Sequence, residues 1–261
     1  MSNFATNDQL QQLYSDYSLA KRRLIACDYD GVLSELKDDP SAEASKPDPQ
    51  ALSLLSKLAS SPNTTLAIIT GRKKDDVESW FKDNPAIYLS AEHGGWRKIG
   101  GEWKQHITPD PKQIESIVTA MRPFTKRVPG SHIETKNFGV VWHYRTADPD
   151  TAQAAVPDMQ QVLESITKGT DMGVYVSNSG GNIVEVKPKN MNKGGAIESL
   201  LTMTRPDFVM CIGDDYTDEH MFAACPDNAY TIRVRGGDTT AKLSIKGVPE
   251  VFDILSNLAN E

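Results

Sequence analysis

Three short apolar runs, each followed directly by polar residues, constrain the fold of this chain more than any other feature of its sequence. The runs cover residues 24–27, 66–69 and 208–212. Runs of this length and composition are typical of strands that are buried on both faces of a parallel sheet. Because open α/β sheets place their ligand crevice at the carboxyl ends of the strands, the polar residues after these runs are predicted to meet there.

Four polar clusters occur in order along the chain, and three of them follow these runs. They are Asp28-Tyr29-Asp30-Gly31-Val32, Thr70-Gly71-Arg72, Lys193-Gly194 and Gly213-Asp214-Asp215-Tyr216-Thr217-Asp218-Glu219. Together they would bring a carboxylate pair, a hydroxyl group, an ammonium group and an acidic cluster to one edge of the sheet. This combination suits phosphoryl transfer through an aspartate and a hard divalent metal ion.

Asp28 and Asp30 are the predicted catalytic carboxylates. At positions i and i+2 of an extended segment their side chains point the same way, so both could reach one substrate. Asp28 would attack phosphorus and form an aspartyl-phosphate. Asp30 would protonate the leaving alkoxide and later deprotonate the hydrolytic water. The alternative is an acidic turn after a strand, and the presence of the other clusters in order favours the catalytic interpretation.

Thr70 and Lys193 complete the predicted catalytic set. The Thr70 hydroxyl and the adjacent amides can hold a phosphate oxygen, and the alternative is a threonine at a helix N-cap. Of the three lysines in the segment 187–193, Lys193 is chosen to pair with the nucleophile and the transferring phosphoryl group. A lysine at a helix start opposes the helix dipole, which favours an anion beside it. A solvated basic loop is the alternative, and it is favoured for Lys189.

Mg²⁺ is the predicted cofactor, because it prefers near-octahedral oxygen ligands that include one or two carboxylates. Asp28, the Asp30 carbonyl and Asp214 are the predicted direct ligands. Asp215 or Asp218 would act through a metal-bound water or orient the lysine.

Two further interpretations stay open at this level. Asp218 and Glu219 are also suited to N-capping of the helix that follows them. His93, at the end of the predicted strand 86–90, either lines the crevice and binds substrate or is a hydrogen-bonded structural histidine.

The order of the predicted elements indicates an α/β protein in two parts. The first part, residues 1–107 and 187–261, is predicted to be a doubly wound parallel-sheet core of Rossmann-like type. Residues 108–186 read as helix, two strands, helix and two strands, with a hairpin turn at 179–182. That order is typical of a small antiparallel sheet with helices on one face, so we predict an inserted α+β domain.

Bulk properties narrow the classes of function. The chain has 261 residues and a net charge of −7, which argues against a general affinity for nucleic acid. It contains no apolar run of 18 residues, so no membrane span is predicted. The three cysteines show no ligand spacing and are expected to be free thiols, and the first 19 residues are polar. We therefore predict a cytoplasmic protein.

With these residues assembled, the chain resembles the haloacid-dehalogenase superfamily of phosphatases, and its inserted region resembles the C2-type cap of that superfamily. Within the superfamily it is similar to the trehalose-6-phosphate phosphatases of eukaryotic, fungal type. The segments that carry this resemblance are Ala91-Glu92-His93-Gly94, Val128-Pro129-Gly130, Ile133-Glu134-Thr135-Lys136, Trp142-His143-Tyr144-Arg145, Val184-Glu185-Val186-Lys187-Pro188 and the acidic segment 213–219.

The resemblance implies a Mg²⁺-dependent hydrolase that converts trehalose 6-phosphate to trehalose and phosphate, with a cap that closes over the sugar. Its implied substrate-binding residues are Arg72, His93, Glu134, Lys136, Arg145, Glu185 and Lys187. Carboxylate and ammonium groups hydrogen-bond sugar hydroxyls with directionality, which agrees with this assignment. Val32 departs from the family, which usually carries threonine there, and Lys187 stands where many relatives carry arginine.

Two other functions stay open from the sequence. The chain could be a phosphatase of the same superfamily that acts on another sugar phosphate. It could also be a regulatory phosphatase-like domain that docks on a trehalose-6-phosphate synthase, since members of this family are often fused to a synthase-like region.

Overall fold

The computed structural model describes residues 3–37, 41–177 and 182–261, so the predicted turn residues 179–181 lie outside the described part. The chain forms two compact units. The first comprises Met1–His106 and Asn192–Glu261, and the second comprises Ile107–Met191. The second junction falls later than the expected limit at 186, because the last strand of the second unit continues to Pro188.

An eight-stranded sheet forms the centre of the first unit. Its strands are β1 Arg23–Cys27, β2 Thr64–Ile69, β3 Tyr88–Ala91, β4 Trp96–Ile99, β5 Glu102–Gln105, β10 Phe208–Gly213, β11 Tyr230–Val234 and β12 Leu243–Ile245, in the spatial order β12-β11-β10-β1-β2-β3-β4-β5. The strands from β12 to β3 are parallel, whereas β4 and β5 form an antiparallel hairpin at the edge.

Helices cover both faces of this sheet. They are α1 Asn7–Leu19, α2 Pro49–Ala59, α3 Lys74–Phe81, α6 Gly194–Thr204, α7 Glu219–Ala223 and α8 Val248–Leu258. Alternate residues of β1 show the division, because Ile25 packs with α1, α2, α3 and α8, whereas Leu24 packs with α6 and α7. A strand that is buried on both sides has no polar face, which is why the apolar runs are continuous. The predicted doubly wound α/β core is confirmed.

The second unit is an antiparallel sheet with two helices. Its elements are α4 Pro111–Arg127, β6 His132–Thr135, β7 Val140–His143, α5 Pro149–Thr167, β8 Met172–Ser177 and β9 Ile183–Pro188, and the strand order is β6-β7-β9-β8. One face of the sheet packs on both helices through a core that includes Trp142 and Val184. Along each strand, the residues that alternate with these core residues point to the other face of the sheet, and many of them are polar.

Two short elements were not predicted from the sequence. β12 is a three-residue parallel strand at the edge of the large sheet, and Glu92–Gly94 forms a single 3-10 turn after β3. In the described part of the chain, every helix is too short or too polar to cross a membrane.

Candidate active site

Three adjacent parallel strands carry the predicted catalytic residues at their carboxyl ends. β1 lies between β10 and β2 and pairs with both along its whole length. Asp28 follows β1, Thr70 follows β2 and Asp214 follows β10. Because the strands run in the same direction, these three residues emerge at one edge of the sheet.

Lys193, at the N-terminus of α6, lies between two carboxylates of this edge. Its Nζ atom is 2.6 Å from Asp28 Oδ2 and 2.7 Å from Asp218 Oδ1. The side chains of Lys193 and Asp218 are 2% and 0% exposed, and that of Asp28 is 8% exposed. The main-chain amide of Tyr29 donates to Asp28 Oδ1 at 2.6 Å, so both oxygens of Asp28 are held in place.

Burial and the neighbouring charges have opposite effects on the pKa values of Asp28 and Lys193. Burial raises the pKa of Asp28 above that of an exposed aspartate, and the nearby ammonium of Lys193 opposes that rise. Burial alone would lower the pKa of Lys193, but the charges of Asp28 and Asp218 outweigh it and raise the pKa instead. Lys193 is therefore a fixed positive charge beside Asp28.

Asp218 also organises the acidic loop that follows β10. Its second oxygen, Oδ2, accepts from the amides of Asp214 at 2.8 Å and Asp215 at 3.1 Å. Asp215 accepts from the amide and the hydroxyl of Thr217, which caps a 3-10 turn over Tyr216–Asp218. Capping thus falls on Asp215 with Asp218. For the helix that follows, α7, Asp218 is the N-cap residue but makes no side-chain bond to it, and Glu219 is the acidic residue of its first turn. The Glu219 carboxylate accepts from two threonines across the loop.

Three carboxylates of the edge lie close enough to share one cation. Single oxygens of Asp28, Asp214 and Asp218 lie within 4.8 Å of one another. Burial, followed by the charges of Asp215 and Asp218, raises the pKa of Asp214 to about 6. An oxygen-rich site with excess negative charge fits Mg²⁺. The side chain of Asp218 is 0% exposed, against 8% for Asp28 and 7% for Asp214, so Asp28 and Asp214 are the carboxylates that would hold the ion.

Asp30 and Arg72 form a bidentate ion pair. Arg72 Nε lies 2.7 Å from Asp30 Oδ2, and Arg72 Nη2 lies 2.7 Å from Asp30 Oδ1. The same Nη2 donates to Ser45 Oγ at 2.6 Å, and the guanidinium lies over the Trp80 ring at 5.7 Å. Arg72, which the resemblance assigns to substrate, therefore orients the proposed acid and base residue in this structure.

Thr70 and His93 lie in two loops that are hydrogen-bonded together. The Thr70 hydroxyl accepts from the amide of Arg72 at 3.1 Å, and the Thr70 carbonyl accepts from the amide of His93 at 3.0 Å. Helix α3 has Lys73 at its N-cap, so Thr70 does not cap it. A Cβ atom at Gly71 would lie 2.7 Å from His93 Nε2, so the imidazole lies directly against the phosphate-binding turn predicted at 70–72.

The polar face of the second unit holds most of the predicted sugar-binding residues. Lys187 Nζ is 2.9 Å from Glu185 Oε2, and Lys136 Nζ is 3.7 Å from Glu185 Oε1. Glu134 Oε2 is 3.0 Å from His143 Nε2. Val141 on β7 pairs with Glu134 on β6 and with Glu185 on β9, so the two glutamates lie in one row across the sheet. We call these five polar residues the cap cluster.

Two neighbours extend the description of this face. Tyr175 is opposite Glu185 on β8, and its ring lies 5.2 Å from Lys187 Nζ. Arg145 follows β7 and is exposed to solvent.

Three residues of the core site escaped the sequence reasoning. Ser45 binds Arg72, Glu92 is buried and accepts from the amide of Lys74 at 3.4 Å, and Arg235 contacts Asp214. Arg235 follows β11 directly, so the rule that selects residues after buried strands would have found it. Glu92 likewise follows the buried strand β3 directly, whereas Ser45 lies in a proline-rich segment and carries no such signal.

The fold is shared with a haloacid dehalogenase-like hydrolase. A hydrolase of that class from Bacteroides thetaiotaomicron superposes with a TM-score of 0.64 at 13% identity, covering 90% of this chain and 98% of that chain. At this identity the match shows the fold alone.

More specific comparisons identify the family. The family model for trehalose-phosphatase matches residues 26–245. The C-terminal domain of the Candida albicans trehalose-6-phosphate phosphatase superposes with a TM-score of 0.82 at 30% identity, covering 99% of this chain and 98% of that chain. The chain belongs to the trehalose-phosphatase family.

A curated relative shows how this chain relates to longer proteins. A bifunctional trehalose-6-phosphate synthase/phosphatase of Thermoproteus tenax is 39% identical over 250 residues, which cover 95% of this chain and 33% of that protein. The chain thus spans about a third of the length of such relatives.

Proposed function

We propose that the protein is a Mg²⁺-dependent phosphatase that hydrolyses trehalose 6-phosphate to trehalose and phosphate. The observation that carries this proposal is the buried Lys193, which lies between Asp28 and Asp218 in a chain of the trehalose-phosphatase family. These two carboxylates and Asp214 lie close enough together to share one cation. A buried carboxylate beside a fixed cation is suited to attack an anionic phosphoryl group, because the cation offsets the repulsion between them.

In the first step, an oxygen of Asp28 forms a bond to phosphorus while the bond from phosphorus to the sugar oxygen breaks. Asp30 gives a proton to the departing sugar oxygen, and the product on the enzyme is an aspartyl-phosphate. One of the two Arg72 hydrogen bonds to Asp30 must open before that oxygen can carry a proton. Lys193 stays charged throughout and offsets negative charge on Asp28 and on the phosphoryl oxygens.

In the second step, Asp30 takes a proton from a water molecule as that water attacks phosphorus. The bond from phosphorus to Asp28 breaks, which restores the carboxylate and releases phosphate. The Thr70 hydroxyl and the amides of the turn after β2 donate to phosphoryl oxygens. Asp28, the Asp30 carbonyl and Asp214 would hold a Mg²⁺ ion, which would supply further charge neutralisation for these oxygens.

The cap cluster supplies the sugar specificity in this proposal. Glu134 and Glu185 accept hydrogen bonds from sugar hydroxyls, and Lys136 and Lys187 donate to them. Support comes from the geometry of the cluster, since the His143 imidazole orients Glu134 and two lysines orient Glu185 in this structure. Arg145 and His93 complete the proposed substrate contacts. The free cysteines are consistent with a reducing cytoplasm as the place of the reaction.

The test is phosphate release from trehalose 6-phosphate in the presence of Mg²⁺. We expect turnover that stops when the divalent ion is chelated, and much slower turnover of glucose 6-phosphate, which offers fewer hydroxyls to the cap cluster. Equal turnover of the two substrates would favour the alternative that the protein is a phosphatase that acts on another sugar phosphate.

A partner function is a second proposal. The Thermoproteus tenax relative is named as both a synthase and a phosphatase, which favours an association of this chain with a trehalose-6-phosphate synthase. Co-purification with a synthase, with the Asp28→Asn protein used in parallel, separates docking from catalysis. Docking without any turnover by the wild-type chain would favour a purely regulatory role.

A further inference from the structure

Arg235 contacts the carboxylate that we propose as a metal ligand. Its Nη2 atom pairs with Asp214 Oδ2, and its Nη1 atom donates to the Gly31 carbonyl at 3.3 Å. The Asp214 side chain is only 7% exposed, whereas that of Arg235 is 37% exposed. The guanidinium therefore approaches a buried carboxylate from the solvent side.

The backbone conformation at Arg235 and at Gly31 allows this contact. Arg235 has a φ of +66°, a left-handed conformation that residues with a Cβ atom rarely adopt. Its amide donates to the Ile245 carbonyl at 2.8 Å, which ties the residue to β12. Gly31 has a φ of +77°, and a Cβ atom there would lie 2.6 Å from Arg235 Nη2. A strained backbone and a required glycine at the same contact indicate that the position of the guanidinium matters.

The charges explain what Arg235 does in this place. Within the described residues, Lys193 binds Asp28 and Asp218, and Arg233 binds the Asp215 carbonyl and lies 3.7 Å from Glu219. Arg235 is the arginine that neutralises Asp214. A divalent ion on the same oxygen would lie within a few ångströms of the guanidinium, and two cations at that distance repel strongly at low dielectric.

We infer that Arg235 competes with the divalent cation for Asp214, so that metal binding requires the guanidinium to leave the carboxylate. This inference rests on the proposed function, because it concerns the same metal site. Arg235 is thus a positioning residue that keeps the acidic loop neutralised until the metal binds and that lowers the apparent metal affinity. Competition of this kind is reciprocal, since removing one cation must tighten binding of the other.

Calorimetric titration of Mg²⁺ into chelator-treated protein tests the inference. The Arg235→Gln protein is expected to bind Mg²⁺ about three- to tenfold more tightly than wild type, the gain typical of releasing one partly desolvated ion pair. Arg22→Gln is the matched control for net charge. Arg22 pairs with Asp207 before the start of β1, at the opposite end of the strand from Asp28, and its loss should leave the affinity unchanged.

Thermal unfolding gives an independent readout. Without divalent ions, Arg235→Gln should melt about 2–4 °C below wild type, the shift expected for a modest loss in a chain of this size. At saturating Mg²⁺ the two melting temperatures should converge, because the ion replaces the guanidinium. If the glutamine variant does not fold, Arg235→Lys keeps the charge but loses the fork that holds Asp214 and Gly31 together, and it should bind Mg²⁺ with intermediate affinity.

The outcomes separate this inference from the proposed function. Equal or weaker Mg²⁺ binding by Arg235→Gln overturns the inference, and so does a melting deficit that persists at saturating Mg²⁺, since both indicate a purely structural clamp. If wild type and variant both bind no Mg²⁺, the metal site itself is refuted and the inference falls with it.

Discussion

The polar residues of the core site and those of the cap cluster are supported in different ways. Lys193 and Asp218 are fully enclosed, and each is fixed by more than one charged or hydrogen-bonded partner. In the cap cluster, Glu134 and Lys136 have side chains that are 32% exposed, whereas those of Glu185 and Lys187 are 9% and 8% exposed. The centre of the core site is therefore fully enclosed by the fold, whereas the cap cluster combines a buried pair with partly exposed side chains that are held mainly by their partners in the cluster.

This difference follows from where the two clusters lie on their sheets. The core residues extend from the ends of strands that are buried on both faces, so helices and loops surround them. The cap cluster lies on one face of a four-stranded sheet whose other face packs on α4 and α5. Fixed groups suit a reaction that is the same for every phosphate ester, and adjustable groups suit recognition of a particular sugar.

The largest expected effect comes from Asp28→Asn in the core site. The amide cannot serve as nucleophile, so turnover of trehalose 6-phosphate should fall by at least about 10³-fold. The measurement is initial-rate phosphate release, with circular dichroism to verify the fold. Asp158→Asn is the control, because Asp158 lies on α5 in the second unit and its side chain is 67% exposed. Retained turnover in Asp28→Asn would refute Asp28 as the nucleophile.

The next largest effect concerns the stability of the same site. Asp218→Asn removes one of the two negative charges beside Lys193, and its amide group cannot accept from both Lys193 and the loop amides at once. Breaking a buried pair by changing one partner costs about 3–5 kcal/mol of unfolding free energy. Urea unfolding at neutral pH measures the loss. A change below about 1 kcal/mol, as expected for exposed pairs, would erase the distinction between the two regions.

How far the sequence alone predicts this site depends on the kind of contact. The convergence of Asp28, Thr70 and Asp214 follows from the apolar runs before them and from the common direction of parallel strands. Lys193 could be selected because it begins a helix, where a cation is unusual. These positions are set by the course of the backbone, which the pattern of apolar and polar residues predicts.

Side-chain pairings were not predictable in the same way. Asp30 and Arg72 are 42 residues apart, and whether an arginine turns to a carboxylate or to substrate depends on its rotamer and its neighbours. β12 escaped prediction because Leu243-Ser244-Ile245 contains a single alternation, which is too short to show a period. Arg235 is different, because it directly follows β11, as Asp28 directly follows β1, and its place at the site is therefore predictable from the sequence.

A smaller effect is expected from Glu185→Ala in the cap cluster. The change removes a carboxylate that forms ion pairs with Lys136 and Lys187 and is proposed to bind sugar hydroxyls. We therefore expect kcat/KM for trehalose 6-phosphate to fall by about 10- to 100-fold, the range of one or two hydrogen bonds to charged groups. An aryl phosphate, which lacks the sugar, should be hydrolysed within about twofold of the wild-type rate. Glu164→Ala on the exposed side of α5 is the matched control. Equal losses on both substrates would show that Glu185 supports the core chemistry and not sugar recognition.

The smallest effect should appear as a pH dependence of stability in the cap cluster. Burial lowers the pKa of His143 below its usual 6.5, and the hydrogen bond from His143 to Glu134 only partly opposes this. The unfolded chain therefore binds the proton more readily than the folded chain, so stability should fall as pH decreases from 6.5 towards the folded pKa. Urea unfolding of wild type and His143→Gln between pH 7.5 and 5 measures the difference. The His143→Gln protein should lose less stability than wild type on acidification. His220→Gln, a change on α7 in the first unit, is the control and should follow wild type. If wild type instead loses less stability than His143→Gln on acidification, the pair with Glu134 dominates over burial in setting the pKa of His143.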